Sequence, residues 1–201
     1  EDLVQCLTLP LLDITRLKLK LTGRYTLLSN YSYYSDFKQP AQYSTLFNLL
    51  QLSAEKEFKI GGNWNWRAWL VLQQPTGGAP LNLPLLLTRN QIGYDGSLGF
   101  KNLLTSFGLE FRYYTPYEAD RYSPLLGQFF NQGSATVKMD IPELAAYLHF
   151  RIKTFTAYLR VENLNAFDPG TRKFTNNNIV SPNYPYPGMQ IRLGIFWSFI
   201  N

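Results

Sequence analysis

A single histidine, His149, and a single cysteine, Cys6, are all the chain offers of the side chains that most often act as bases or nucleophiles near neutral pH. His149 could serve as base to a serine, but its same-face neighbours in an extended segment are Tyr147 and Arg151. Neither is a good orienter of an imidazole. Glu55 and Glu57 fall on one face of a strand, as paired acids would, yet no partner pattern near them completes a site. Gly93, Gly96, Gly99 and Gly108 lack the spacing of a phosphate-binding loop. One thiol makes no intramolecular disulfide, and one thiol with one imidazole makes no structural zinc site. The expectation is a protein that is not an enzyme and holds no metal and no cofactor.

The remaining ionisable residues recur at every second position of successive segments. Arg16, Lys18, Lys20 and Arg24 alternate with Leu17, Leu19, Leu21 and Tyr25. The same rhythm holds for Glu55 and Glu57, for Arg67, for Arg89 and Asp95, and for Glu110 and Arg112. It continues through Glu143, His149 and Arg151, through Arg160 and Glu162, and ends at Arg192. Successive side chains of a strand point to opposite faces, so each segment has one charged and one apolar face. A strand of that kind separates two solvents. In a transmembrane barrel the charged residues line the lumen and the apolar ones meet lipid. These lumen candidates comprise ten basic and six acidic residues, an excess that predicts a mild preference for anions.

The C-terminal ten residues carry the pattern most cleanly. Met189, Ile191, Leu193, Ile195, Trp197 and Phe199 form one face, and Gln190, Arg192, Gly194, Phe196, Ser198 and Ile200 the other. Arg192, Gly194, Trp197 and Phe199 resemble the terminal β-signal of bacterial outer-membrane barrels. This predicts an assembly signal read by the barrel assembly machinery.

Eight strands are needed to position these residues: about 15–29, 46–59, 63–74, 86–98, 103–115, 142–152, 155–164 and the terminal one. Residues 1–14 remain an unassigned lead-in. On the third strand Trp64, Trp66, Ala68, Leu70 and Leu72 oppose Asn63, Asn65, Arg67 and Gln73. The joints 61–62, 99–102 and 153–154 are tight, whereas 30–45, 75–85, 116–141 and 165–187 are long and rich in Pro, Gly and Asn. Short and long joints alternate strictly, as they do when periplasmic turns face external loops. The expected fold is all-β, an antiparallel transmembrane β-barrel over 1–201 without a domain boundary.

Composition agrees. Charged residues are 16% of the chain and aromatic residues another 16%. Trp64, Trp66, Trp197 and Phe199 fall at one end of their strands, and Tyr31, Tyr33, Tyr34, Tyr113 and Tyr114 at the other, as two interfacial girdles would. No run of eighteen apolar residues exists to form a spanning helix. The net charge of +5 is scattered singly over the strands, which argues against nucleic acid as a partner. The chain begins at Glu1 without a leader. An exported barrel needs one, so the expectation is a leader already removed or a longer polypeptide.

Several stretches resemble the putative-porin family of Bacteroidetes-type outer membranes. They are Leu86-Leu87-Thr88-Arg89-Asn90, Gly108-Leu109-Glu110-Phe111-Arg112-Tyr113-Tyr114, Tyr117 with Ala119-Asp120, Gly127-Gln128-Phe129, Phe150-Arg151-Ile152-Lys153, and the finish from Tyr184-Pro185 to Arg192-Leu193-Gly194. The similarity spans roughly the first strand to Asn201. Such proteins are longer, so the resemblance implies the C-terminal portion of a larger barrel in the cell outer membrane. It departs from the pattern at the end, which is Ile200-Asn201 rather than an aromatic. The implied function is passive diffusion of small solutes through a weakly basic lumen, with the lipid bilayer as surroundings. The alternative is a barrel that anchors partner proteins through its long external loops, 116–141 and 165–187 above all.

Overall fold

The structure is a computed structural model. It describes residues 3–37, 39–76, 78–100, 102–133, 135–139, 141–168, 170–174, 178, 180–184 and 188–198. Nine strands form one antiparallel sheet in simple sequence order. They are β1 (Leu3–Ile14), β2 (Leu19–Ser29), β3 (Phe47–Gly61), β4 (Trp64–Pro75), β5 (Leu86–Ser97), β6 (Leu103–Tyr114), β7 (Glu143–Ile152), β8 (Phe155–Glu162) and β9 (Gln190–Trp197). Among the described residues β1 and β9 have no outer partner, so the sheet is open.

Register is set by the period-two pattern, because a slip of one residue would turn every leucine to the charged side. Leu21, Ala54 and Leu70 are aligned across β2, β3 and β4. Leu148, Leu159 and Leu193 are aligned across β7, β8 and β9. The result is one continuous apolar face with much of its surface open: Leu193 is 73% exposed and Ile195 69%.

Within the stretch left unassigned by pattern, residues 3–14 form a strand. Leu3–Ile14 pairs with β2 over its length, from Leu3↔Ser29 to Ile14↔Leu19. A register shift between Pro10 and Leu12 interrupts the alternation there, which is why period two alone misses this strand. The next element also differs from expectation. Thr15–Leu17 is a 3-10 turn closed by Lys18 in the left-handed region, and β2 begins at Leu19.

The joints behave as their lengths predict. Four short turns, at 15–18, 62–63, 98–102 and 153–154, lie at one end of the sheet, and the four long connections lie at the other. Aromatic rings gather at the short-turn end of the apolar face. Phe58 stacks on Trp66, Trp64 meets Tyr94 and Phe107 edge-on, and Phe155 meets Trp197 edge-on.

At the opposite end the loops fold against one another. Strands Tyr31–Ser35 and Gln39–Tyr43 form a hairpin, and Ser35 bridges to Asn131. The Asn131 amide side chain donates to the Pro80 carbonyl, Asn82 donates to Asp120, and the Ser181 hydroxyl donates to the Asp120 carbonyl. Ala119, Ser123 and Met139 are buried within this loop layer. Burial and the nearby Asp120 carboxylate raise the Tyr117 phenol above its ordinary pKa.

Candidate functional site

The face opposite the leucines is cross-linked by charge. Glu110, in the middle of β6, is 1% exposed. Its Oε2 accepts from Arg89 Nη2 at 2.5 Å. Its Oε1 accepts from Arg112 Nη2 at 2.7 Å and Nε at 3.0 Å, and from Arg160 Nη2 at 2.9 Å. The arrangement has a local cause. Arg89 and Arg112 are direct cross-strand partners, and like charges so placed repel. Glu110 stands two residues before Arg112 on the same face and binds both. Its partner on β7 is Ala145, whose methyl lets Arg160 reach across from β8.

The network continues toward the edge of the sheet. Arg160 Nε donates to Glu162 Oε1 at 2.8 Å, and Arg192 Nη2 lies 3.0 Å from Glu162 Oε2. Four arginines and two glutamates thus tie β5, β6, β8 and β9 together. Charge-assisted bonds of this geometry are stronger than neutral ones, and a shared carboxylate orients every guanidinium that meets it.

A second network lies nearer the short turns. Lys18 pairs with Glu57, Arg67 lies 3.8 Å from Glu57 and donates to Asp95 at 2.7 Å, and Asn65 donates to the same Asp95 oxygen at 2.6 Å. Between the two networks, tyrosines lie over glycines. The Tyr147 hydroxyl covers Gly93 and Gly108, where a Cβ on Gly108 would fall 2.6 Å from Gly93 Cα. Tyr158 lies over Gly194, where a Cβ would collide with its ring. His149 stands between these rings, with centroids 5.5 Å from Tyr147 and 6.0 Å from Tyr158.

Most residues singled out from sequence share this face. Lys20, Arg24, Glu55 and Arg151 stand on it outside the two networks, and Glu143 stands opposite Arg112. Arg16 does not belong with them: it lies in the 3-10 turn, because β2 starts three residues later. Phe199, the last member of the expected assembly signal, lies outside the described residues. Strict alternation also places Asp13, Lys59, Trp69 and Val71 on the charged face. Trp69 and Val71 fall between Arg67 and Gln73 at the same parity, and a sequence reading that follows charge leaves both out because they are apolar. Asp13 was hidden by the interrupted register of β1. With these changes the described residues set ten basic side chains against seven acidic ones on this face, counting Lys18, which reaches it from its turn.

Among the described residues no group of three or more His, Cys, Asp or Glu is placed to hold a metal ion. The face sets Ser106 opposite His149 beside Asp95 in one cavity, with no hydrogen bond from the hydroxyl to the imidazole among the described residues. What it presents is a charged surface, fixed in shape and net positive. A family model described as a putative porin matches residues 8–201. No curated protein and no solved structure matched the chain.

Proposed function

The chain belongs to the putative-porin family, and on that premise we propose that its strands cross an outer membrane with the charged face lining a water-filled passage. Small solutes diffuse through it without energy input, and the ten-to-seven excess of basic residues tilts the passage toward anions. The observation that carries this reading is the pairing of opposites on one sheet. The apolar face leaves Leu193 and Ile195 open over most of their surface, while the charged face buries Glu110 under three arginines. Lipid suits the first face and water the second.

The sheet also supports a larger barrel. Nine strands in antiparallel order leave β1 and β9 running in the same direction. Antiparallel closure then requires an odd number of further strands between them, in keeping with the even totals of bacterial outer-membrane barrels. A closed ring of eight or so strands would fill its interior with side chains, whereas about sixteen leave a channel. In this reading the barrel assembly machinery inserts the protein and recognises Arg192, Gly194, Trp197 and Phe199.

One observation favours a second role, as an anchor for partner proteins. The loop hairpin Arg121–Ser123 with Gln128–Phe130 presents Leu125 at 75% exposure and Phe129 at 49%, with Tyr122 and Tyr184 packed on that ring. The test is conductance of the full-length protein in a planar bilayer under a salt gradient. The pore reading expects discrete channels with a small anion-selective reversal potential. Absence of conductance refutes it in favour of the anchor. A cation-selective potential refutes the basic lumen alone.

A further inference from the structure

We infer that Arg89 and Arg112 form a weak subsite for a small organic anion, a carboxylate carrying an apolar body. The inference rests on the pore reading for its setting, but the binding itself does not need an open channel. A cavity of about 210 Å³ opens over the outer part of the charged face. Arg89 and Arg112 line one side of it, and Trp69, Val71, Leu87 and Met139 form an apolar wall beside Tyr113 and Tyr114. Met139 comes from the long loop after β6 and is 6% exposed, so the loop is packed down onto this face. A second cavity, of about 220 Å³, shares Arg112 and continues toward Arg160 and Glu162.

The two arginines are held but not used up. The Arg89 guanidinium lies over the Trp69 ring, 4.9 Å from its centroid, and only its Nη2 reaches Glu110. Arg112 engages Glu110 through Nε and Nη2. Each guanidinium carries five N–H donors in a fixed fork, so donors remain on both. Their side chains are 45% and 49% exposed. Glu110 therefore acts as a buried anchor that aims two cations outward. Three arginines on one carboxylate leave two positive charges uncompensated. Glu143 also lines the cavity and takes one of them off. The net attraction is small, as a solute that must leave again requires.

The apolar wall decides which anion. Inorganic phosphate or sulfate would lose water against the hydrocarbon of Val71, Leu87 and Met139 and gain no hydrogen bond from them. A carboxylate attached to a ring or short hydrocarbon places its charge at the arginines and its body at the wall. Both halves of such a solute find a partner.

The experiment is saturation-transfer NMR on the full-length protein in detergent micelles, with benzoate as probe. Benzamide, inorganic phosphate and acetate are the comparisons. The inference expects benzoate to bind at least tenfold more tightly than any of the three. It expects Trp69→Ala and Arg112→Ala each to weaken benzoate about tenfold, and Arg24→Ala, on the same face but outside the cavity, to change nothing. Should Arg112→Ala fail to fold, Met139→Ala reports on the same wall. Equal binding of benzamide removes the arginines from the account, and equal binding of phosphate removes the wall. Unchanged affinity in Trp69→Ala overturns the site. Absence of conductance alongside intact benzoate binding would refute the pore and leave the subsite standing.

Discussion

On one face of the sheet Leu193 and Ile195 are 73% and 69% exposed; on the other, Glu110 is 1% exposed beneath Arg89, Arg112 and Arg160. A domain that folds in water does the reverse, hiding leucine and displaying glutamate. Here a glutamate packs closely beneath its arginines, and many of the apolar side chains keep much of their surface open. The difference teaches that the hydrophobic effect alone does not hold this sheet in shape. Backbone ladders fix the strands, ion pairs fix the charged face, and in the proposed reading the apolar face is left for lipid.

The largest blow to this asymmetry is Glu110→Gln. Breaking a buried charge pair from one side costs about 3–5 kcal/mol, and here three guanidiniums lose their shared carboxylate at once. Two of them are nearly half exposed and recover some hydration, which sets the expectation near 3 kcal/mol. Urea titration of the protein in micelles measures it. A loss below about 1 kcal/mol would mean that the network contributes little and the ladders carry the face.

Next in size is Leu193→Arg. If the apolar face meets hydrocarbon, this change should cost about 2–4 kcal/mol near the bilayer midplane, read from folding yield in lipid vesicles. Ser198→Arg, at the polar parity and near the end of the strand, should be tolerated. Equal yields for wild type and Leu193→Arg would remove the lipid from the account.

Gly194→Ala sharpens the boundary between the faces. Its methyl would collide with the Tyr158 ring, at a cost of about 1–3 kcal/mol typical of overpacking. Adding Tyr158→Ala should recover most of that loss in the same urea titration. If the loss persists without the tyrosine ring, the collision is not its cause; recognition by the assembly machinery is read separately, as outer-membrane yield. Trp197→Ala then becomes the decisive companion, because it touches the same expected signal without touching Tyr158.

Much of this was legible in the chain. Alternation placed six of the nine strands to within a residue or two at both ends and assigned most charges to their face, since a strand's parity is a local property. The strict short–long sequence of joints placed three of the four turns and all four loops at their proper ends; the turn at 15–18 was not foreseen. Three things were not legible. Leu3–Ile14 breaks its own alternation between Pro10 and Leu12, so no period-two reading finds it. The convergence of Arg89, Arg112 and Arg160 on Glu110 depends on register between strands up to fifty residues apart, and a single sequence does not state register. The long loops read as joints because turn-rich composition marks where a strand stops, while their mutual packing through Asn131, Asp120 and Ser181 is tertiary.

The central claim is that the two faces of one sheet meet two different solvents, and spin labels test it most directly. In a Cys6→Ser background, single cysteines at Leu70, Leu159 and Leu193 sample the apolar face, and those at Ser53, Gln91 and Thr156 sample the charged face. Each is labelled with a nitroxide in the full-length protein reconstituted into lipid vesicles. The account predicts that the first three collide mainly with dissolved oxygen and the second three mainly with a water-soluble nickel chelate. Nickel access on both faces would contradict it.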